Sequence, residues 1–287
     1  MQKGIIIKGI GGLYDVKTED NCIITGCRLR GRLKLKHDTV LVGDHCLLSV
    51  STDGTFHVEE ILPRRTSLVR PPIANIEQVV VVVAVQDPEP NQMLIDGILA
   101  MAEAEGLTGL ICISKSELDP QKAEEIESLY STVPYPVIKT SAKKDEGIEE
   151  LKASLYAKIS AFAGPSGVGK SSLLNKLRPE LNLEVGEISK KLGRGKHTTR
   201  SVQLIPLESG GLVADTPGFS RLTLETHAKE EIQNFFPELV RLSSYCRFRG
   251  CNHVSEPGCA VKEALKEKEI ALDRYQSYLV FFESAKG

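Results

Sequence analysis

One run of nine residues carries the most explicit chemistry in the sequence: Gly164-Pro165-Ser166-Gly167-Val168-Gly169-Lys170-Ser171-Ser172. The spacing GxxxxGKS belongs to loops that wrap a polyphosphate with backbone N–H groups. Gly164 and Gly169 take the two turns, and Gly167 adds conformational freedom. Lys170 sets an ammonium against the β- and γ-phosphates, and the Ser171 hydroxyl is a Mg²⁺ ligand. The flanks agree. Residues 159–163 are an apolar run suited to a strand. Residues 171–177 suit a helix whose N-terminus faces the phosphates.

A second element of triphosphate chemistry lies further on. Asp215-Thr216-Pro217-Gly218 ends a short apolar run and fits DxxG, where the Asp serves the Mg²⁺ shell and the Gly N–H contacts the γ-phosphate. Between the two lies Gly193-Arg-Gly-Lys-His-Thr-Thr-Arg200, a basic Gly-rich stretch placed where nucleotide switches carry a Mg²⁺-completing threonine. Thr198 or Thr199 takes that role, and Thr199 is favoured; a plain surface loop is the competing reading. Phe219 follows the DxxG, where an apolar side chain cannot orient water. His197 is the internal candidate for that task, with a solvated loop histidine an equal reading on the residues alone.

The base-reading residues precede the phosphate loop instead of following it. Ser114-Lys115-Ser116-Glu117 stands after the apolar run 110–113, in the place of an NKxD motif. Ser141-Ala142-Lys143 follows the run 136–139 and matches the short SAK motif that backs a guanine ring. The order is therefore base-reader, SAK, phosphate loop, switch, DxxG. A sheet assembles from strands in rotated order when the old termini lie close, so this is a circular permutation. Glu117 replaces Asp with one extra methylene, and Ser114 lacks the Asn carboxamide, so guanine preference is expected but less strict.

Two further constellations stand outside the triphosphate site. Cys246, Cys251, His253 and Cys259 have the spacing C-x₄-C-x-H-x₅-C, and Gly and Pro lie between them. Four N/S ligands in so short a segment suit one closed, tetrahedral, structural Zn²⁺ per chain. Near the other end, Arg28, Arg30, Arg32, Lys34 and Lys36 alternate with apolar residues or Gly. At strand periodicity all five cations point to one face, which predicts an anionic partner, nucleic acid first; the bland alternative is a solvated strand face.

The elements that must position these residues fall into three regions. With 287 residues, 41% apolar and 26% charged, the chain has room for two or three globular domains. A net charge of −2 makes no global case for nucleic acid, so a basic surface must be local. The seven cysteines are odd in number and mostly scattered, which argues for reduced thiols plus one metal site. The longest apolar run, 79–85, is too short to cross a bilayer, and a cytoplasmic, non-membrane protein is expected. Residues 1–70 show short β-rich runs between turn signals, which predicts a small OB or SH3-like barrel. A Pro- and Arg-rich crossing leads to residues 71–222, where strands and helices alternate as in a parallel sheet. Residues 223–287 predict helices at 228–240 and 261–284, the latter broken near Asp273, around the metal ligands. The segment after Asp215–Gly218, the place of a second switch, runs straight into this region, so loss of γ-phosphate is expected to move it.

Together these residues resemble the RsgA family (also called YjeQ or YloQ), circularly permuted GTPases of ribosome assembly. The match extends from the β-rich start, through Arg70-Pro-Pro-Ile-Ala-Asn-Ile-Glu-Gln78 and the permuted motifs, to the Cys/His segment. The resemblance implies a multidomain α/β protein: an OB-type β-barrel that touches RNA, a central permuted P-loop GTPase fold, and a C-terminal helical zinc-binding domain. It implies Mg²⁺-dependent hydrolysis of GTP to GDP, stimulated by the small ribosomal subunit during its late maturation. It makes His197 the hydrolysis residue and the subunit's rRNA the partner of the basic stripe; a monomer is expected. A slowly hydrolysing, nucleotide-binding RNA scaffold with relaxed base selectivity is the alternative.

Overall fold

The computed structural model describes residues 1–31, 33, 39–68, 71–181, 202–215 (Asp215 in its backbone) and 224–286. The N-terminal region is a closed five-stranded barrel. Its strands are β1 (Gln2–Ile10), β2 (Leu13–Thr18), β3 (Ile23–Leu29), β4 (His45–Val50) and β5 (Phe56–Ile61). They pair in the order β1-β2-β3-β5-β4, and β4 returns to β1 to close the ring. Ile6, Val16, Cys27, Cys46, Leu48 and Val58 alternate inward and fill the interior.

The crossing contains a two-stranded ribbon, β6 (Ser67–Leu68) and β7 (Ile73–Ala74). Asn75 fixes it, accepting the Arg65 N–H at 2.8 Å and donating to the Gly43 carbonyl at 2.9 Å. Beyond it, β8 (Gln78–Ala84) has every residue buried, as its Val run requires for a strand covered on both faces. Helix α1 (Gln92–Ala104) follows, capped by the Asn91 side chain. Then come β9 (Thr108–Ser114), α2 (Pro120–Leu129), β10 (Val137–Lys139), α3 (Ile148–Leu155), β11 (Ile159–Ala163) and α4 (Lys170–Leu177). Finally β12 (Gln203–Pro206) and β13 (Leu212–Asp215) form the expected antiparallel pair.

The sheet order is β10-β9-β8-β11-β13-β12, the first five strands parallel. It does not stop there. Strand β12 pairs with β1 at Lys8↔Gln203, so barrel and parallel sheet form one continuous ladder.

The C-terminal region is helical: α5 (Lys229–Ile232), α6 (Pro237–Ser243), α7 (Ala260–Lys266) and α8 (Leu272–Ser284). The helix expected over 228–240 is cut short because Pro237 cannot continue it and starts a new one instead. Phe236, Tyr278 and Val261 build a core that takes in Ala100 and Met101 of α1. Gly97 lets α8 approach, since a Cβ there would meet the Phe281 ring at 3.0 Å. Beneath this contact lies a charged cluster that sequence reasoning did not find. Arg274, fully buried, donates to Asp96 of α1 at 2.7 Å and to Glu238 of α6 at 2.8 Å. Tyr130 and Gln92 also donate to Asp96. Burial works to discharge Arg274, but Glu238 and Asp96 outweigh it and its pKa rises. The region therefore rides on α1, and any rigid movement of it must carry α1 or break this trio. Among the described residues no helix is long and apolar enough to cross a membrane.

The basic stripe departs from expectation. Strand β3 ends at Leu29, and Gly31 and Leu33 are helical, not extended. The Leu33 N–H bonds the Arg30 carbonyl, a turn that lets Leu29 and Leu33 both pack on the barrel core. Arg30 pairs with Glu59 at 2.7 Å, whereas Arg28 is exposed. The single-faced strand of cations is thus not formed at Gly31 and Leu33; Arg32, Lys34 and Lys36 lie outside the described residues.

Candidate nucleotide and metal sites

Strand β11 delivers its last residue, Ala163, to the C-terminal edge of the sheet, and the chain turns there through the phosphate loop into α4. Gly164, Gly167 and Gly169 have φ of 140°, 88° and 93°. At Gly164 a Cβ would lie 2.5 Å from the Val82 carbonyl, so no side chain fits. Lys170 starts α4 and folds back over the loop, donating to the carbonyls of Gly164 at 2.8 Å and Pro165 at 2.7 Å. Burial pushes its ammonium down to about 8. Ser171 is buried, Ser166 is exposed, and Val168 anchors the loop in the core.

The residues expected to read a base arrive on neighbouring strand ends. Ser114 closes β9, and its hydroxyl lies 2.6 Å from the Val168 carbonyl and 3.2 Å from that of Val83. The serine thus ties β9 to the phosphate loop. Lys115 sits at φ 56° and donates to the Asp87 carbonyl. Glu117 holds one carboxylate oxygen, Oε2, away from solvent and without a hydrogen bond from any described residue. A buried acceptor left in this way is costly, and a base that reads it must first draw it into the open. The SAK turn lies beside it: Ser116 bonds Thr140 through its N–H at 3.2 Å and its hydroxyl at 3.1 Å. Ser141 is fully buried, paired to Glu146 and capping the Lys144 N–H at 3.0 Å. Ala142 is half-buried and Lys143 exposed.

Strand β13 lies next to β11 and places the backbone of Asp215 at the same edge. So β9, β10, β11 and β13 all bring their chemistry to one side of the sheet, where ligands of open α/β folds bind. Gly218, Phe219, His197, Thr198 and Thr199 lie outside the described residues. The donor set fits its ligands: glycines clear space for phosphate, Lys170 supplies charge, Ser171 a hydroxyl able to ligate Mg²⁺, and Glu117 a carboxylate at the position expected to read the base.

The C-terminal cluster is compact. The ligating atoms of Cys246, Cys251, His253 and Cys259 all lie within 4.8 Å of one another. His253 Nδ1 is 3.3 Å from Cys259 Sγ and 3.6 Å from Cys246 Sγ, and those two sulfurs are 4.0 Å apart. A tetrahedral Zn²⁺ with bonds of about 2.0 to 2.3 Å sets such separations near 3.5 to 3.8 Å, so the group fits zinc. The other ring nitrogen, Nε2, meets Gln233 Oε1 at 2.9 Å, which orients the imidazole. Glu256 was not foreseen: its carboxylate accepts the N–H groups of Asn252, Val254 and Ser255 and folds the turn around the ligands.

Comparison with known proteins agrees with this geometry. A family model described as RsgA N-terminal domain matches residues 3–56, and one described as RsgA GTPase matches residues 61–225. A "Small ribosomal subunit biogenesis GTPase RsgA" from Caldanaerobacter subterraneus is 45% identical over 287 residues, covering 99% of this chain and 96% of the relative. A protein of the same description from Bacillus cereus is 45% identical over 290 residues, covering 100% and 98%. Among solved structures, YjeQ from Thermotoga maritima superposes with a TM-score of 0.84 at 38% identity, covering 98% of this chain and 97% of that one. YloQ, described as a circularly permuted GTPase, gives 0.82 at 36% identity, covering 99% and 94%. With a permuted phosphate-binding sheet, an OB-type barrel and a Cys₃His group in one polypeptide, the chain is a GTPase and belongs to the RsgA GTPase family.

Proposed function

We propose that this GTPase hydrolyses GTP in late maturation of the small ribosomal subunit, in the cytoplasm and as a monomer, binding the subunit and its rRNA. The observation that carries the nucleotide half is the convergence of Lys170, Ser171 and Glu117 on one sheet edge, with Glu117 Oε2 unpartnered. The ribosomal half rests on what the relatives are named for. The working division is 1–70 for RNA contact, 71–222 for GTP and 223–287 for zinc.

In this reading the backbone of 164–169 with Lys170 and Ser172 holds the phosphates, while Ser171, Thr199 and Asp215 hold Mg²⁺, which supplies charge neutralisation at the β- and γ-oxygens. Gly218 donates to the γ-phosphate and His197 orients water. Lys115 and Ser141-Ala142-Lys143 frame the base that Glu117 reads. Arg28, Arg30, Arg32, Lys34 and Lys36 contact rRNA; Arg30 does so only by exchanging Glu59 for phosphate.

Phosphate release from GTP, measured with and without purified small subunits, tests the proposal. Stimulation is the expected result, and its absence would leave a nucleotide-binding scaffold. Base reading has its own test. Glu117→Ala is expected to weaken GTP binding about tenfold or more while leaving ATP binding unchanged, since it removes an acceptor used only by guanine. Equal losses for both nucleotides, in competition against labelled GDP, would contradict that assignment.

A further inference from the structure

A cleft of about 380 Å³ opens between the barrel and the parallel sheet. It lies at the leading ends of the strands, across the sheet from the phosphate loop. Strand register builds one wall. Ile5 of β1 stands opposite Lys17 of β2 and opposite His45 of β4. Directly opposed residues of antiparallel strands share a face, so the three side chains form a row. The other wall is the edge of the sheet: Lys158 and Ile159 where β11 begins, Leu212 where β13 begins, and Glu77 just before β8. Arg65 reaches in from the crossing, its backbone held by Asn75.

The charges in this cleft do not balance. Lys17, Arg65 and Lys158 line it from three separate elements, and among the described lining residues Glu77 is the one carboxylate. One oxygen of that carboxylate already accepts the Ile159 N–H at 3.1 Å. Among the described residues the lysine ammonium groups bond neutral amides, Lys17 to Asn21 at 2.7 Å and Lys158 to Gln78 at 3.0 Å. Burial, then the charge of Arg65, hold the His45 imidazole below its ordinary pKa, against the opposing pull of Glu77 and Asp44. Cations gathered around a shared space repel one another unless an anion joins them. Between them the half-buried Ile5 and Leu62, backed by the core residues Ile159 and Leu212, form the apolar part of the lining.

We propose that this cleft is a second anion site, which takes a phosphorylated ligand of nucleotide size. A free mononucleotide and one nucleotide of an RNA strand offer the same phosphate and ring, and the site reads that shared chemistry. It does not depend on the phosphate loop.

The test uses the full-length protein saturated with GDP, so that the phosphate loop is filled. AMP and hexa-adenylate are titrated separately by isothermal calorimetry. At least one is expected to bind with a submillimolar Kd. The double variant Lys17→Ala/Lys158→Ala and the single variant Arg65→Gln are each expected to weaken that binding about tenfold or more, with GDP affinity unchanged. Binding to a Lys170→Ala protein is expected to persist, which separates this site from the nucleotide site. Binding of AMP identifies a free nucleotide as a sufficient ligand, and binding of hexa-adenylate alone identifies an RNA strand. The proposal is overturned if neither binds, if binding survives loss of the cations, or if it disappears with Lys170.

Discussion

Lys170→Ala is expected to lower GTP turnover about 10³-fold, because it removes the one cation the loop aims at the transferring phosphate. The structure shows how that cation is kept ready. Its ammonium rests on the carbonyls of Gly164 and Pro165 and is largely withdrawn from water. Polyphosphate replaces two neutral acceptors with charged ones, and charge-assisted bonds are about twice as strong as neutral ones. Single-turnover phosphate release with saturating Mg²⁺–GTP measures the loss; turnover within tenfold of the unchanged protein would remove Lys170 from the mechanism. A pH dependence accompanies it. Burial sets the free Lys170 near pH 8, and the bound triphosphate needs it protonated. GTP affinity is therefore expected to fall as pH rises above about 8, since binding must then take up a proton.

Stripping zinc is expected to have the largest effect on stability. Burial pushes the Cys251 thiol up to about 12 and raises that of Cys259. A bound cation reverses this and holds both as thiolates. Without it the turn 246–259 keeps the Glu256 carboxylate, the His253–Gln233 bond, the Tyr275 and Tyr278 hydroxyls on the His253 and Asn252 carbonyls and some apolar contacts, whereas the metal contributes on the order of 10 kcal/mol. Metal analysis is expected to find one zinc per chain. After chelation, limited proteolysis is expected to cut within 224–286 at rates far above those of the holoprotein, while GDP binding at the distant loop persists. An unchanged digestion pattern in protein verified as zinc-free would show that the helices hold the turn alone.

The nucleotide motifs were legible because each is local. Lys170 and Ser171 stand six and seven positions after Gly164 and need only one strand–turn–helix to act. The metal ligands were legible for the same reason. The permutation was readable from motif order, since strand ends carry the chemistry whatever the connection. What stayed hidden depends on pairs distant in sequence. Arg274 sits on an amphipathic helix among Asp, Gln and Glu, and nothing nearby signals that it is buried. Its partners, Asp96 and Glu238, lie on two other helices. The cleft cations were equally silent, because Lys17, Arg65 and Lys158 meet only when the barrel docks. The basic stripe misled in the opposite way. Alternation at 28–36 follows a strand pattern, yet after Leu29 the chain curls so that Leu33 reaches the barrel core, and core packing overrides periodicity.

The buried Arg274 also has a consequence for how the protein is made. Its partner Asp96 is synthesised 178 residues earlier. At about 5 to 20 residues per second, a growing chain carries that carboxylate for roughly 9 to 36 seconds before its cation exists. During that interval Asp96 has Gln92 and Tyr130 as donors but no cation, and it stands near Ala100 and Met101, whose core partners come from residues 224–285. A chain that ends early keeps both exposed. The cluster around Asp96 thus completes late in synthesis, when Arg274 emerges.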